Sequence, residues 1–285
     1  MPEDLAPVMA WYVDHARDLP WRGADPWAVM VSEFMLTQTP VARVLPVYEA
    51  WMRRWPTPAA LAASASGEAV REWGRLGYPR RALRLHTAAG MIVERHGGRV
   101  PDSYEALRDL PGVGDYTAAA IVSFAFGQTR VVLDTNVRRV FARAVDGKAH
   151  PAPSITTAER QLAASLLPER DAATWAAATM ELGALVCTAR SPDCQQCPIA
   201  DRCAWRAAGY PPHSGPARRT QAWHGTNRQC RGRLLGVLRD AEGPVAKTTL
   251  DAVWDDADQR ERCLDSLLDD GLAQLTFDGQ FRLPD

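Results

Sequence analysis

The chain has 285 residues, of which 46% are hydrophobic and 24% charged, a composition typical of a folded globular protein rather than a disordered or fibrous one. No apolar run approaches the roughly 18 to 20 residues that a membrane-spanning helix needs, and the amino terminus lacks a basic start followed by an apolar stretch; we therefore expect a cytoplasmic protein. The formal net charge is −1, but residues 221–285 hold 8 basic against 12 acidic residues, a balance of −4, and residues 1–220 carry +3, so charge does not exclude a nucleic-acid-binding face.

The main body of the chain is predicted to be all-helical. Amphipathic segments rich in Ala, Leu, Arg and Val alternate with short Pro or Gly breaks, and strand patterns are nearly absent before the last thirty residues. The predicted helices span residues 3–16, 25–37, 40–54, 58–63, 67–75, 79–96, 103–109, 115–126, 135–145, 155–167 and 170–186.

A small carboxyl-terminal module is predicted after a proline-rich linker. The segment PPHSGPARRTQ at 211–221 combines three prolines with Gly and Ser, as linkers do. Three further helices are predicted at 228–240, 247–253 and 258–271, followed by two short strands around the turn-forming pair Asp278–Gly279. Three helices and a hairpin are typical of a winged-helix module; an unspecific helical cap is the alternative.

One helix near the amino terminus carries a carboxylate among apolar residues. In DPWAVMVSEFMLTQTP, residues 27–31 and 34–36 are all apolar, which leaves Glu33 almost no polar helix face. A helix that is apolar nearly all round is a buried one. Burial should raise the pKa of a carboxyl group, and a protonated carboxyl near neutral pH is suited to general acid catalysis.

A glycine-containing turn separates the helices predicted at 103–109 and 115–126. Gly112 and Gly114 in LPGVGDYTAAAIVSFAFG let the backbone turn sharply and approach a ligand closely. Together with Val113, their amides at the start of the second helix would form a site for one phosphate of a nucleic-acid backbone. A plain corner between two helices is the alternative.

A second carboxylate has a contrasting setting. Asp134 in RVVLDTNVRRVFARAV follows a β-branched run and precedes an amphipathic helix, and a helix N-terminus favours the ionised form. One protonated and one ionised carboxylate can cleave a glycosidic bond through a cationic sugar. We therefore expect Glu33 and Asp134 to act on one substrate. The alternatives are a simple helix cap for Asp134 and an outward-facing position at a helix edge for Glu33.

Four of the six cysteines are closely spaced, at Cys187, Cys194, Cys197 and Cys203. Four thiolates in one loop suit a tetrahedral zinc ion or an iron–sulfur cluster, and the spacing alone leaves both open. Cys230 and Cys263 lie on presumed apolar helix faces and are interpreted as inert buried thiols.

These elements together resemble the helix–hairpin–helix DNA glycosylase superfamily over nearly all of residues 1–210, and the cysteine spacing is that superfamily's signature for a 4Fe–4S cluster. Within it, the sequence is similar to the adenine-specific mismatch glycosylases (the MutY family). The segments that carry this resemblance are LPWR at 19–22, VSEFML at 31–36, RLGYPRRALRLH at 75–86, LDTNVRRV at 133–140 and MELGALVC at 180–187.

The resemblance implies an enzyme that removes adenine paired with 8-oxoguanine or guanine from double-stranded DNA. Glu33 would protonate adenine at N7 and later help to activate water, Asp134 would stabilise or capture the oxocarbenium sugar, and Asn136 would join them in the active site. Tyr116 stands where relatives with lyase activity carry a catalytic lysine; because a phenol cannot form a Schiff base, base excision without strong strand cleavage is implied.

The resemblance also implies DNA-contacting residues. Trp21, Arg22 and Glu181 would bind the adenine, while Gln38 and Tyr78 would insert into the base stack beside the flipped nucleotide. Phosphate contacts are implied for Arg80, Arg81 and Arg84, with a solvated helix face as the alternative.

The implied architecture is an iron–sulfur domain from residues 1–24 and 135–210, a six-helix barrel with the helix–hairpin–helix at 25–134, a linker at 211–227 and a winged-helix-like module at 228–285. We expect a monomer associated with the nucleoid and with no membrane partner.

The sequence departs from the family pattern in two places, and two other functions remain as alternatives. Thr37 occupies a place where the family usually has glutamine, and residues 222–285 are too short for the Nudix-like domain with which many relatives read 8-oxoguanine. The alternatives are a thymine or uracil mismatch glycosylase on the same scaffold, and a non-catalytic DNA-binding regulator that holds an iron–sulfur cluster or zinc.

Overall fold

A computed structural model describes residues 5–213, 215 and 223–285. Their regular secondary structure is almost entirely helical, which confirms the predicted fold class. No helix in these ranges has the length and apolar character needed to cross a membrane. The helices are α1 (Pro7–His15), α2 (Pro26–Leu36), α3 (Val41–Arg54), α4 (Pro58–Ala62), α5 (Ser66–Trp73), α6 (Arg80–His96), α7 (Tyr104–Arg108), α8 (Asp115–Phe126), α9 (Thr135–Ala144), α10 (Thr157–Ser165), α11 (Ala172–Leu185), α12 (Ala204–Ala207), α13 (Asn227–Asp240), α14 (Lys247–Asp251) and α15 (Ala257–Asp269).

The predicted helices are all present, with ends that differ by a few residues. The first begins at Pro7, because a proline fits the first turn, where its missing N–H is not needed; residues 3 and 4 of the predicted span lie outside the described residues. The sequence missed α12 and a 3₁₀ turn at Ala200–Arg202, since both are too short to show a helical period. Of the predicted linker at 211–227, residues 214 and 216–222 lie outside the described residues.

Contacts group the chain into two compact units, and the predicted domain division stays a prediction. The first unit contains residues 1–29, 102–108 and 113–217. Its core lies between α1, α9 and α11, where Phe141 stacks on Trp175 with ring centroids 6.4 Å apart. Leu182, which is fully buried, belongs to the same core.

The second unit contains residues 30–101, 109–112 and 218–285. Three tryptophans pack edge to face in its helical part: the ring of Trp51 lies 4.8 Å from that of Trp55 and 5.5 Å from that of Trp73. Trp51 and Trp73 are fully buried, and edge-to-face packing adds to the stability gained from burying such large rings.

The carboxyl-terminal module has the elements of a winged helix. Helices α13, α14 and α15 precede a two-stranded antiparallel hairpin of β1 (Gln274–Leu275) and β2 (Phe281–Arg282). Val245 forms a bridge to Phe281, which adds a third chain segment beside β2. The turn falls at the predicted Asp278–Gly279 pair, where Gly279 has a φ of 78°.

The module packs on α5 within the second unit. Arg71 donates hydrogen bonds to the carbonyls of Arg239 and Ala241, and Arg239 Nε donates to the carbonyl of Val70 at 2.9 Å. Burial lowers the pKa of Arg239 to about 10. Each guanidinium thus caps carbonyls of the other segment, which fixes α13 against α5.

Gly67 lets the chain terminus lie directly on α5. Its N–H donates to the carbonyl of Pro284 at 2.8 Å, and a Cβ built on Gly67 would lie 2.3 Å from that oxygen and 2.8 Å from Leu283 Cβ. A side chain at residue 67 therefore cannot be accommodated unless the terminus moves.

Gly67→Ala should therefore destabilise the protein, by roughly 1 to 3 kcal/mol, because overpacking displaces a hydrogen-bonded segment. Gly90→Ala is the matched control, since Gly90 is helical and has open space around its Cα; it should be neutral or stabilising by up to about 1 kcal/mol. Denaturant unfolding of both variants checks this. Equal stability of the two variants would contradict the close packing at Gly67.

Candidate functional site

Asp134 is the N-cap of α9 and is held by three hydrogen bonds. Its Oδ1 accepts from the backbone N–H of Asn136 at 2.9 Å and of Val137 at 2.6 Å, and its Oδ2 accepts from the side-chain amide of Asn136 at 2.7 Å. Both carboxylate oxygens therefore have fixed directions. The helix N-terminus that the sequence indicated is where the structure places this residue.

The sequence predicted a lowered pKa for the Asp134 carboxyl, and this direction was wrong. Burial raises the pKa of the Asp134 carboxyl above its ordinary value, and this effect outweighs the hydrogen bonds from Val137 and Asn136 and the charge of Arg139, which all lower it. The sequence showed the helix N-terminus but could not show how far the surrounding helices remove this carboxyl from water.

Arg139 connects this carboxylate cap to the cysteine-bearing loop. Its Nη2 donates to Asn136 Oδ1 at 2.7 Å and to the carbonyl of Gly183 at 2.5 Å, and its Nε donates to the carbonyl of Cys187 at 2.7 Å. Because Asn136 in turn donates to Asp134, a continuous chain of hydrogen bonds runs from the backbone of the first clustered cysteine to the carboxylate.

Two neighbouring arginines of α9 are buried as well. Arg138 is 9% exposed and pairs with Glu159 at 2.8 Å. Arg143 is 3% exposed and donates to the carbonyls of Ala149 and Thr188 and, at 3.4 Å, to Cys187 Sγ. Sequence reasoning missed all three arginines, although the i, i+4 spacing of 139 and 143 places both on one helix face.

Glu33 lies in α2 and is 5% exposed. Every residue from Trp27 to Met35 is buried, which confirms that this helix is enclosed nearly all round. A polar residue that is buried in this way normally has a function or has hydrogen-bond partners for all its polar atoms, because taking a carboxyl group out of water is unfavourable.

Gln38 and Tyr78 lie on two loops with strained backbones. Both have left-handed conformations, with φ of 60° and 48°, and both side chains are exposed, Tyr78 to 49%. A non-glycine residue held at positive φ is unfavourable by about 1 to 3 kcal/mol and tends to occur at functional sites. These are the two residues that the resemblance assigns to insertion into the base stack.

Arg81 holds both loops in place. Its Nη1 donates to the carbonyls of Phe34 and Thr37, at 2.7 and 2.5 Å, and its Nη2 donates to the carbonyl of Gly77 at 3.1 Å. The guanidinium also lies over the ring of Tyr78, 5.6 Å from its centroid. Burial lowers the pKa of Arg81 to about 10.

Arg81 and Arg80 have partners within the protein, and the phosphate contacts expected of them stay predictions. Arg81 uses its donors on backbone carbonyls, and Arg80 pairs with Asp270 of the carboxyl-terminal module at 3.0 Å. Arg84 is exposed on α6, so its phosphate contact stays a prediction.

Two of the three residues expected to bind adenine, Arg22 and Glu181, form an ion-pair cluster with Arg17. Glu181 is 2% exposed, and its oxygens accept from Arg17 at 2.7 to 2.9 Å and from Arg22 at 2.8 Å. Burial raises the pKa of Glu181, but the hydrogen bonds and charges of the two arginines bring it below its ordinary value. Trp21 is 8% exposed. Sequence reasoning missed Arg17.

The two glycines of the hairpin, Gly112 and Gly114, lie in different structural environments. Gly112 has a φ of 85°, and a Cβ there would lie 2.9 Å from Arg84 Cβ and from Phe34 Cε1. Both the backbone conformation and the close packing therefore require glycine at this position. Gly114, the N-cap of α8, has an ordinary φ of −92° and no atom within 4 Å of a Cβ. The open space at Gly114 fits the close approach of a ligand, as the phosphate-site prediction requires.

Tyr116 lies in the first turn of α8 and is half-buried. Its ring packs with the small cluster of Ala119, Ala120, Val132 and Ala176. This contact is hydrophobic packing, and the catalytic assignment of Tyr116 stays a prediction.

The four clustered cysteines could supply the thiolate ligands of an iron–sulfur cluster. All four are free thiols of intermediate burial. Burial, together with the charges of the other three thiols, raises the pKa of Cys197 to about 11. Four thiolates from one short loop are a ligand set that suits an iron–sulfur cluster or a tetrahedral zinc ion.

Cys194→Ala should abolish the cluster, because it removes one of four thiolate ligands. Iron and acid-labile sulfide analysis of the purified variant measures this. Cys230→Ala is the matched control, since Cys230 is a fully buried thiol of the carboxyl-terminal module and its loss should leave the iron content unchanged. Zinc in place of iron in the unmodified protein, or full iron content in the Cys194 variant, would contradict the assignment.

Comparisons with known families agree with this geometry. Residues 31–164 match the HhH-GPD superfamily of base excision DNA repair proteins. Residues 187–203, which begin and end at clustered cysteines, match the iron–sulfur binding domain of endonuclease III. The predicted 4Fe–4S cluster is thereby confirmed; when bound, it would cross-link the loop through thiolate–iron bonds.

Relatives of known name match nearly the whole chain. An adenine DNA glycosylase of Mycobacterium tuberculosis is 55% identical, over 97% of this chain and 92% of the relative. Another of Mycolicibacterium smegmatis is 53% identical, over 98% and 96%. Among solved structures, a thermostable thymine-DNA glycosylase is similar with a TM-score of 0.65 and 27% identity, over 72% of this chain and 95% of that one. The chain belongs to the adenine DNA glycosylase family within the HhH-GPD superfamily of base excision DNA repair proteins.

Proposed function

We propose that this protein is an adenine DNA glycosylase, which hydrolyses the N-glycosidic bond of adenine mispaired with 8-oxoguanine or guanine and leaves an abasic site. The observation that carries this proposal is identity above 50% to two adenine DNA glycosylases over nearly the full chain, including the carboxyl-terminal module. The protein acts as a monomer on double-stranded DNA, which would place it at the nucleoid.

Glu33 is the general acid of the proposed reaction. A carboxyl group enclosed by apolar residues keeps its proton more readily than one in water, and Glu33 is 5% exposed in a buried helix. It transfers this proton to N7 of adenine, which makes the base a better leaving group as the bond to the sugar breaks. The resulting carboxylate then helps to activate water.

Asp134 stabilises the sugar cation that forms when adenine leaves. Its oxygens are held by Asn136 and by the first turn of α9, so the negative charge needs no reorganisation during the reaction. The raised pKa of this carboxyl makes the charged form unfavourable before the cation is present. Developing positive charge on the sugar relieves that unfavourable state, so this interaction is stronger in the transition state than in the substrate complex.

The proposed product is an abasic site rather than a cleaved strand. Strand cleavage by a lyase step needs an amine that forms a Schiff base, and Tyr116 supplies none. The chain has two lysines, Lys148 and Lys247. Lys247 lies in the carboxyl-terminal module, where it pairs with Asp251 at 2.8 Å and Glu261 at 2.5 Å.

DNA binding is proposed to use the hairpin and the two strained loops. The open N-terminus of α8 at Gly114 would receive a phosphate, because free amides and the helix dipole attract anions. Gln38 and Tyr78, held exposed by Arg81, would fill the space that the flipped adenine leaves in the base stack.

A thymine glycosylase is the second candidate, and the similarity to the solved thymine-DNA glycosylase favours it. Pyrimidine excision depends less on protonating a ring nitrogen, so a buried acid such as Glu33 is needed less there. The higher identity and coverage of the adenine enzymes make adenine the better-supported substrate.

Glu33→Gln should reduce single-turnover adenine release by at least about 100-fold, because general acid catalysis contributes about that much or more. Binding of the mispaired duplex should persist, since the amide keeps the size of the carboxyl group. The measurement is alkali cleavage of duplexes that carry adenine, thymine or uracil opposite 8-oxoguanine or guanine.

Glu72→Gln is the control, because Glu72 forms an exposed pair with Arg54 and exposed pairs contribute little to stability; its excision rate should match that of the unmodified protein. Full activity in the Glu33 variant would remove this residue from the mechanism. Release of thymine but not adenine by the unmodified protein would overturn the substrate assignment.

A further inference from the structure

An arginine of the carboxyl-terminal module lies against the loop of Tyr78. The Cζ atom of Arg228 is 5.3 Å from the ring centroid of Tyr78 and 5.4 Å from that of Trp223. The three groups form an arginine–aromatic cluster within the second unit, and we call it the Tyr78 cluster. Cation–π contacts of this kind hold a guanidinium over a ring without using its N–H donors.

The backbone at both sides of the Tyr78 cluster is fixed. Arg228 lies in the first turn of α13, whose N-cap Thr226 accepts a hydrogen bond from the N–H of Gln229 and donates one to the carbonyl of Trp223 at 2.8 Å. A Cβ on Gly77 would lie 4.0 Å from Arg228 Nη2, so the guanidinium reaches across to the turn that carries Tyr78.

Among the described residues no hydrogen bond or ion pair engages the donors of Arg228, in contrast to Arg231, Arg239 and Arg260 of the same module. Arg231 pairs with Asp270 at 2.5 Å, and Arg260 pairs with Asp251 at 2.9 Å. Arg239 donates to a carbonyl of α5. Arg228 is exposed and has no ion pair among the described residues. Two aromatic rings lie beside its guanidinium, and in the part of the chain that the structure describes no carboxylate pairs with it.

We propose that the Tyr78 cluster is a DNA-contacting site that the carboxyl-terminal module adds to the glycosylase, with Arg228 donating to oxygen acceptors of the duplex beside the inserted Tyr78. This inference rests on the proposed function, because that function brings Tyr78 into the base stack. A guanidinium 5.3 Å from an inserted ring reaches the neighbouring phosphate oxygens or the edge of the opposite purine, and arginine binds both.

The net charge of the module does not oppose this inference. Residues 221–285 have a balance of −4, but Asp251, Glu261 and Asp270 are engaged by arginines and Lys247 within the module. The charge nearest to the DNA would be that of Arg228 beside Tyr78, because charges farther than about 10 Å away are screened at moderate salt.

Arg228→Gln tests the proposal, with Arg233→Gln as the matched control. Arg233 lies on the same helix, is exposed and stacks on Trp254 at 5.3 Å, so its substitution removes the same charge and the same kind of arginine–tryptophan contact without touching Tyr78. The readout is fluorescence anisotropy with a duplex that holds an abasic-site analogue opposite 8-oxoguanine or guanine, over a series of salt concentrations.

We expect Arg228→Gln to weaken binding by about fivefold to tenfold, as for the loss of one charge-assisted contact, and Arg233→Gln to leave it unchanged. If the acceptor is a phosphate, the slope of log affinity against log salt should fall by about 0.9, with equal losses on both duplexes. If the acceptor is the opposite purine, the slope should stay the same and the two duplexes should lose affinity unequally.

Equal binding by the Arg228 variant and the unmodified protein on both duplexes would overturn the proposal, as would an equal loss in the two arginine variants. Trp223→Ala provides a second test and should weaken binding in the same direction. The binding assay needs no adenine release, so failure of the proposed function would show separately, as absence of excision by the unmodified protein.

Discussion

Three buried arginines on α9 determine how the first unit is arranged. A guanidinium cannot give up its charge, so burying one is tolerated only where carbonyl or carboxylate oxygens surround it. Arg138, Arg139 and Arg143 are each below 10% exposed, and each finds such partners outside α9: Arg138 at Glu159, and Arg139 and Arg143 at the carbonyls of Cys187 and Thr188. The helix is thereby joined to the loops on either side of it by directional bonds rather than by apolar packing alone.

The proposed chemistry depends on one of the three, Arg139. Arg139 binds Asn136, which binds Asp134, and the same guanidinium binds the carbonyl of Cys187 at the start of the cysteine loop. Gly183 allows α11 to approach, since a Cβ there would lie 2.7 Å from Asn136 Cβ. The carboxylate is thus oriented before substrate binds, as electrostatic stabilisation of a cation requires. Arg81 performs the corresponding task in the second unit, where it holds the strained loops of Gln38 and Tyr78.

The sequence predicted the parts of this protein that depend on local pattern. The buried helix around Glu33, the cap at Asp134, the four-cysteine loop and the hairpin at Asp278–Gly279 all follow from periodicity, capping preference or spacing. The supporting arginines could not be found in that way. Arginine is normally solvated, and the partners of Arg139 lie up to 48 residues away in the chain. The pKa direction of Asp134 was wrong for the same reason, because its burial comes from tertiary packing.

The most direct test of this account is single-turnover adenine excision by Arg139→Lys, measured together with its iron content and compared with Arg138→Lys. Lysine keeps the charge but lacks the planar donor set that reaches Asn136, Gly183 and Cys187 together. The account predicts a rate at least about 100-fold lower for the Arg139 variant, as misplacement of a catalytic group by about 1 Å produces, and a near-normal rate for the Arg138 variant, whose guanidinium binds Glu159 instead. Unchanged excision by Arg139→Lys would contradict it.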